Sequence, residues 1–157
     1  MDVLTGKGAI VTGGTSGLGV RIAERFVEEG AEMVIAGRRC DKSAEVAARL
    51  GPRASFARTD VSVEAEVHAM VEHALDRFGR LDCLVNNAGS AGTLGGGARH
   101  RPCRFRAHHG VHVWGVLAGM KHAASVLMAQ GSGSIVNAGS SPAFPRSRAP
   151  SAFDGSR

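Results

Sequence analysis

Short apolar runs alternate along this chain with stretches whose apolar residues recur every three or four positions. Residues 7–12, Lys-Gly-Ala-Ile-Val-Thr, are apolar and stop at glycines, which predicts a buried strand. From Gly17 to Glu29 the residues Leu18, Ile22, Phe26 and Val27 share one helical face, and Gly30 ends the pattern. Met33–Ala36 predicts a second strand, and Asp41–Leu50 a helix stopped by Gly51-Pro52. Ala54–Arg58 reads as a weaker strand. Ser62 is placed to cap the next helix, with Glu64 and Glu66 in its first turn. Val63, Val67, Met70, Val71, Ala74 and Phe78 form that helix's apolar stripe. Leu81–Val85, a long helix from Val111 to about Met128, and a strand over Ser134–Asn137 complete the series. Alternating strands and helices predict an α/β fold: a Rossmann-type doubly wound parallel sheet of about five strands, with helices on both faces.

The length of 157 residues suits a single domain. No run approaches the roughly 20 apolar residues of a membrane-spanning helix. The first residues show no basic stretch leading into an apolar one, and Cys40, Cys83 and Cys103 do not form a disulfide framework. A cytoplasmic location is therefore expected. The net charge is +5, but residues 99–109 hold four arginines and no acid, and without them it would be +1. A basic patch confined to one short segment is not the footprint of a nucleic-acid-binding face, so no nucleic-acid partner is expected.

The first strand runs into Thr12-Gly-Gly-Thr-Ser-Gly-Leu-Gly19. A glycine turn between a strand and a helix lets backbone N–H groups approach a pyrophosphate, and the helix N-terminus adds partial positive charge. The spacing is Thr-Gly-x-x-x-Gly-x-Gly, with Asp60-Val61 after the third strand and Asn86-Asn-Ala-Gly89 after the fourth. Together these motifs resemble the short-chain dehydrogenase/reductase family over residues 6–97 and 110–141, and Gly115–Ala124 looks like that family's fifth helix.

The resemblance implies hydride transfer between a nicotinamide and an alcohol/ketone pair. Gly13, Gly17, Leu18 and Gly19, with Thr15 and Ser16 in the same turn, would hold the pyrophosphate. Asp60 and Val61 would sit by the adenine, and Asn87, Ala88 and Gly89 would line a cofactor ribose. At the end of the second strand, Gly37-Arg38-Arg39 offers two guanidinium groups and no carboxylate. That favours NADP(H) over NAD(H), a solvated basic turn being the alternative.

The family's chemistry resembles a relay of tyrosine, lysine, serine and asparagine. By position the serine is Ser140 and the asparagine place holds His112. The tyrosine and lysine places hold Phe153 and Arg157, and the chain contains no tyrosine at all. Phenylalanine has no ionisable proton, so it is not competent as acid or base. Either the tail match is accidental or the site is a dead copy. An impaired oxidoreductase, a non-catalytic nucleotide-binding protein and a non-functional gene fragment are thus all open. Family members run to roughly 250 residues, still single-domain size. The chain therefore reads as one dinucleotide-binding domain truncated at its C-terminus, marginal in folding. Family homo-oligomers form through the fifth and sixth helices, and the sixth has no counterpart here.

Residues 98–110 depart from the family pattern. His100, Cys103, His108 and His109 lack the spacing of a zinc frame, and no metal is expected. An ordinary variable basic loop is one reading. A frame-shifted read is the other, because codons for this stretch moved by one base permit Asp-Ile-Asp-Pro-Val-Asp-Phe-Glu-Arg-Thr-Met-Gly, which is similar to the family.

Overall fold

The computed structural model describes residues 2–90 and 102–139. Strand β1 (Gly8–Thr12) lies at the centre of the sheet, and all five of its residues are buried. It pairs in parallel with β2 (Glu32–Gly37) on one side and β4 (Cys83–Asn86) on the other. β3 (Ala54–Arg58) extends the sheet beyond β2, and β5 (Ser134–Asn137) extends it beyond β4. The order is β3-β2-β1-β4-β5, every pairing parallel, as the alternating pattern predicts. Continuous apolar runs are what a strand covered on both faces requires.

Alternate strand residues serve opposite faces. Ile10, Val34 and Leu84 pack against α3 (Glu64–Phe78) and α5 (Gly115–Gln130) through Val67, Met70, Val71, Ala118 and Ala123. Ala9, Val11, Met33, Ile35 and Val85 face α1 (Gly17–Glu28) and α2 (Cys40–Leu50) through Ala23, Val46 and Ala47. None of the helices among the described residues is long and apolar enough to cross a membrane.

Three local expectations are corrected. Ser62 does not cap α3: Val63 holds the cap position without a side-chain bond, while Ser62 Oγ donates to Asp60 Oδ1 at 2.7 Å. The nearby carboxylate takes the hydroxyl that the helix end would otherwise use. Val63 and Leu18 are exposed rather than part of the apolar faces. Residues 102–109 are helical (α4, Pro102–His109), not a loop, and run through a π-helical turn at Gly110–Trp114 into α5. Proline suits a first helical position, and no glycine or proline interrupts Cys103–His109.

At the opposite edge of the sheet from the strand C-termini, Asp82 ties β1 to β4. Its carboxylate accepts from Gly8 N at 2.9 Å, Lys7 Nζ at 3.2 Å, and Arg80 Nε and Nη2, both at 2.6 Å. Burial pushes this carboxyl up, but the Arg80 guanidinium, the Gly8 N–H and Lys7 outweigh it and hold the group at about 2, below its ordinary 3.8. A depressed folded pKa means that the carboxylate's stabilisation is complete above the ordinary value and fades as pH falls toward 2. Asp82→Asn is expected to lose about 2 kcal/mol at pH 7. In urea titrations the gap from the parent chain should narrow steadily between pH 4 and pH 2; a gap independent of pH would contradict this account.

Candidate functional site

The chain runs outward from β1 to β2 and β3, then returns to place β4 beside β1. At that reversal the loops after β1 and β4 diverge, leaving a cleft at the C-terminal ends of the strands. The cleft is about 870 Å³.

Thr12, buried at the end of β1, joins the loops that form the cleft. Its Oγ1 accepts from the backbone N–H groups of Asn87 and Ala88, both at 3.0 Å, and donates to Val85 O at 3.4 Å. Asn87 Nδ2 donates back to Thr12 O at 3.0 Å and Gly13 O at 3.4 Å. The turn then enters α1. A Cβ on Gly19 would stand 2.3 Å from Gly13 O, so the helix can approach the turn this closely only with glycine there. Gly17 has φ +54°, and a Cβ on it would meet nothing within 4 Å, so the surface above it is open. Ser16, at the cap position, is extended and makes no side-chain cap bond. The first N–H groups of a helix have no intrahelical partner, and here no capping side chain covers them.

On the β2–β3 side, Arg39 Nη2 donates to Thr15 Oγ1 at 3.0 Å. Arg38 Nη1 lies 3.9 Å from Asp60 Oδ2. Burial raises the Asp60 carboxyl, but bonds from the Ser62 hydroxyl and N–H, with Arg38 and Arg58 nearby, hold it below its ordinary value. On the β4 side, His112 sits in the π-helical turn with Nε2 3.0 Å from both the N and the O of Ser90. Its ring lies 4.1 Å from that of His108, whose Nδ1 is 3.4 Å from Ser90 Oγ. Burial, with His112 and His109 adjacent, holds His108 below the usual histidine range.

The cleft gathers most residues singled out in the sequence. Gly13, Thr15, Ser16, Leu18 and Gly19 line it from the turn. Arg38, Arg39, Asp60 and Val61 line it from β2 and β3, and Asn87, Ala88, Gly89 and His112 from the far side. Gly17 belongs to the same turn but is not itself a lining residue. Ser140, Phe153 and Arg157 lie outside the described residues. The sequence does not assign Thr59, Ser90, Arg104, Ala107, His108 or Val111 to the cleft, yet they line it too. A signal existed: 104, 107/108 and 111/112 follow helical spacing on one face. The remaining ligand candidates of that segment are dispersed. Cys103 is exposed and the His109 ring stacks on Phe105 at 4.0 Å, while His100 lies outside the described residues.

The sequence matches the family described as short chain dehydrogenase over residues 7–156. Zerumbone synthase of Zingiber zerumbet is 36% identical, over 98% of this chain and 59% of its own length. Momilactone A synthase of Oryza sativa subsp. japonica is 39% identical, over 87% of this chain and 51% of its own. Among solved structures, a 3-ketoacyl-(acyl-carrier-protein) reductase from Brucella melitensis, complexed with NADH, superimposes with a TM-score of 0.91 at 34% identity. That likeness covers 98% of this chain and 64% of the reductase. The chain thus spans about half the length of the curated relatives it matches.

Proposed function

Because this chain belongs to the short-chain dehydrogenase family, we propose that it forms a single dinucleotide-binding domain whose cleft takes NADP(H) in preference to NAD(H). The observation that carries this reading is the convergence of the glycine turn, Asn87–Gly89 and Arg38-Arg39 on one cleft at the reversal of strand order. The open surface over Gly17 and the helix end without a side-chain cap fit a pyrophosphate. Gly13, Thr15, Ser16, Leu18 and Gly19 would hold it. Asp60 and Val61 would border the adenine, and Asn87, Ala88 and Gly89 a ribose. Arg38 and Arg39 stand where a carboxylate would instead favour a 2′-hydroxyl.

When bound, the nicotinamide supplies or accepts a hydride, with a small alcohol/ketone pair as the substrate class. The chain's own share of that chemistry is incomplete. In this reading Ser140 polarises the substrate oxygen and His112 takes the asparagine place, but Phe153 holds no proton to give. Arg157 can bond ribose hydroxyls, yet it has no phenol beside it to tune. Binding without turnover is the expected behaviour.

Fluorescence titration tests the binding reading. NADPH is expected to bind about tenfold more tightly than NADH, as one added charge-assisted contact would give. No binding of either would overturn the reading. For the tail, Phe153→Tyr with Arg157→Lys is expected to raise any ketone-dependent NADPH oxidation by about 10²–10⁴. An unchanged rate would show that these positions are not the proton-transfer pair.

Self-association fits the same reading. Val113, Trp114, Leu117, Met120 and Met128 are exposed along one helical stretch, an apolar stripe suited to the matching stripe of a second copy. Light scattering behind size exclusion is expected to show a dimer, and Leu117→Asp a monomer. A monomeric parent chain would contradict this.

A further inference from the structure

Three guanidinium groups line the cleft: Arg38 and Arg39 from the end of β2, and Arg104 from α4. We propose that Arg104 is a specificity-determining residue for the dinucleotide, selecting the 2′-phosphorylated form from the helix side of the cleft. The proposal rests on the dinucleotide reading above and goes beyond it, because the β2 arginines alone were the basis of that preference.

The first support is charge. Asp60 is the one carboxylate among the described lining residues, and it faces Arg38 and Ser62. Arg39 is engaged with Thr15. Among the described residues, Arg104 has neither an acid nor a hydroxyl partner. The cleft therefore carries a surplus of positive charge, and Arg104 is its uncommitted share. A phosphate monoester carries about −1.5 to −2 charges at pH 7 and three acceptor oxygens. Cationic groups on two walls satisfy such a group better than a single fork can.

The second support is position. The helix passes close to the end of β3: a Cβ on Gly110 would lie 3.3 Å from Ser62 Cβ, and one on Gly115 would lie 2.8 Å from Val61 Cγ2. That strand end also carries Asp60, and through it Arg38. Arg104 precedes Gly110 by six residues, about 9 Å along the axis. Val111 and Ala107 lie on the same helical face as Arg104 and also line the cleft. Arg104 thus lines the cleft from a helix that, further along, packs against the segment following β3. The basic segment that stood out in the sequence acquires a role at one of its arginines. Arg106, exposed on the same helix, is not a lining residue.

The test measures dissociation constants of the full chain for NADPH, NADH and 2′,5′-ADP. Arg104→Gln is expected to weaken NADPH and 2′,5′-ADP about tenfold while NADH changes less than about twofold. Arg106→Gln should change none of them. Thermal unfolding of each variant confirms that it is folded. Equal losses for NADPH and NADH, or no loss, would overturn the proposal. A parent chain that binds neither dinucleotide would instead overturn the reading beneath it, and a parent that binds both equally would remove the preference for which Arg104 is invoked.

Discussion

Gly19→Val is expected to abolish dinucleotide binding, lowering NADPH affinity by at least about 100-fold, or about 2.7 kcal/mol. Even the first carbon of the new side chain would sit 2.3 Å from Gly13 O and 2.7 Å from Asn87 Nδ2. Neither neighbour is a flexible side-chain end free to swing away. Gly13 is backbone, and Asn87 Nδ2 is held by Thr12 O and Gly13 O. The turn must therefore lift off α1, and overpacking of this kind costs about 1–3 kcal/mol of stability as well. Fluorescence titration gives the affinity and far-UV circular dichroism shows whether the helices persist. A folded variant that binds NADPH as tightly as its parent would mean that the cofactor does not use this turn.

A second effect, on stability, is expected at Thr12. Thr12→Val keeps the shape and removes the oxygen, leaving the N–H groups of Asn87 and Ala88 without their acceptor. The expected loss is about 2 kcal/mol, part-way along the range for orphaned polar groups, because both residues are only half-buried. In a domain of this size that lowers the unfolding midpoint by about 4–8 °C. Thr12→Ser keeps the hydroxyl and should lose far less. If serine and valine cost the same, the lost methyl packing rather than the hydrogen bonds would be the cause.

These two positions illustrate what the sequence could reveal. The glycine turn was legible because strand, turn and helix are contiguous and each has its own periodicity. The sheet was legible for the same reason: Ile10, Val34 and Leu84 belong to runs too apolar for any exposed element. Thr12 belongs to the glycine motif, but its bonds cross to residues 87 and 88, and no local pattern announces a contact over that separation. The reading of Ser62 failed because a cap preference is local, while the Asp60 carboxylate two residues earlier competed for the same hydroxyl. Arg104 was hidden for a different reason. Its helix has almost no apolar stripe, so composition suggested a loop where the backbone runs on helically into α5.

The bonds at Thr12 also bear on how this chain tolerates change. The glycine turn and the Asn87–Ala88 loop are tied to the central strand through Thr12, so substitutions that spoil this part of the cleft also loosen the sheet. The positions proposed to correspond to the family's tyrosine and lysine, held here by Phe153 and Arg157, stand apart from that framework in the sequence. Selection for a folded chain alone would therefore preserve the nucleotide cleft while leaving the catalytic positions free to drift. A lineage evolving under that asymmetry would lose its chemistry long before it lost its ligand.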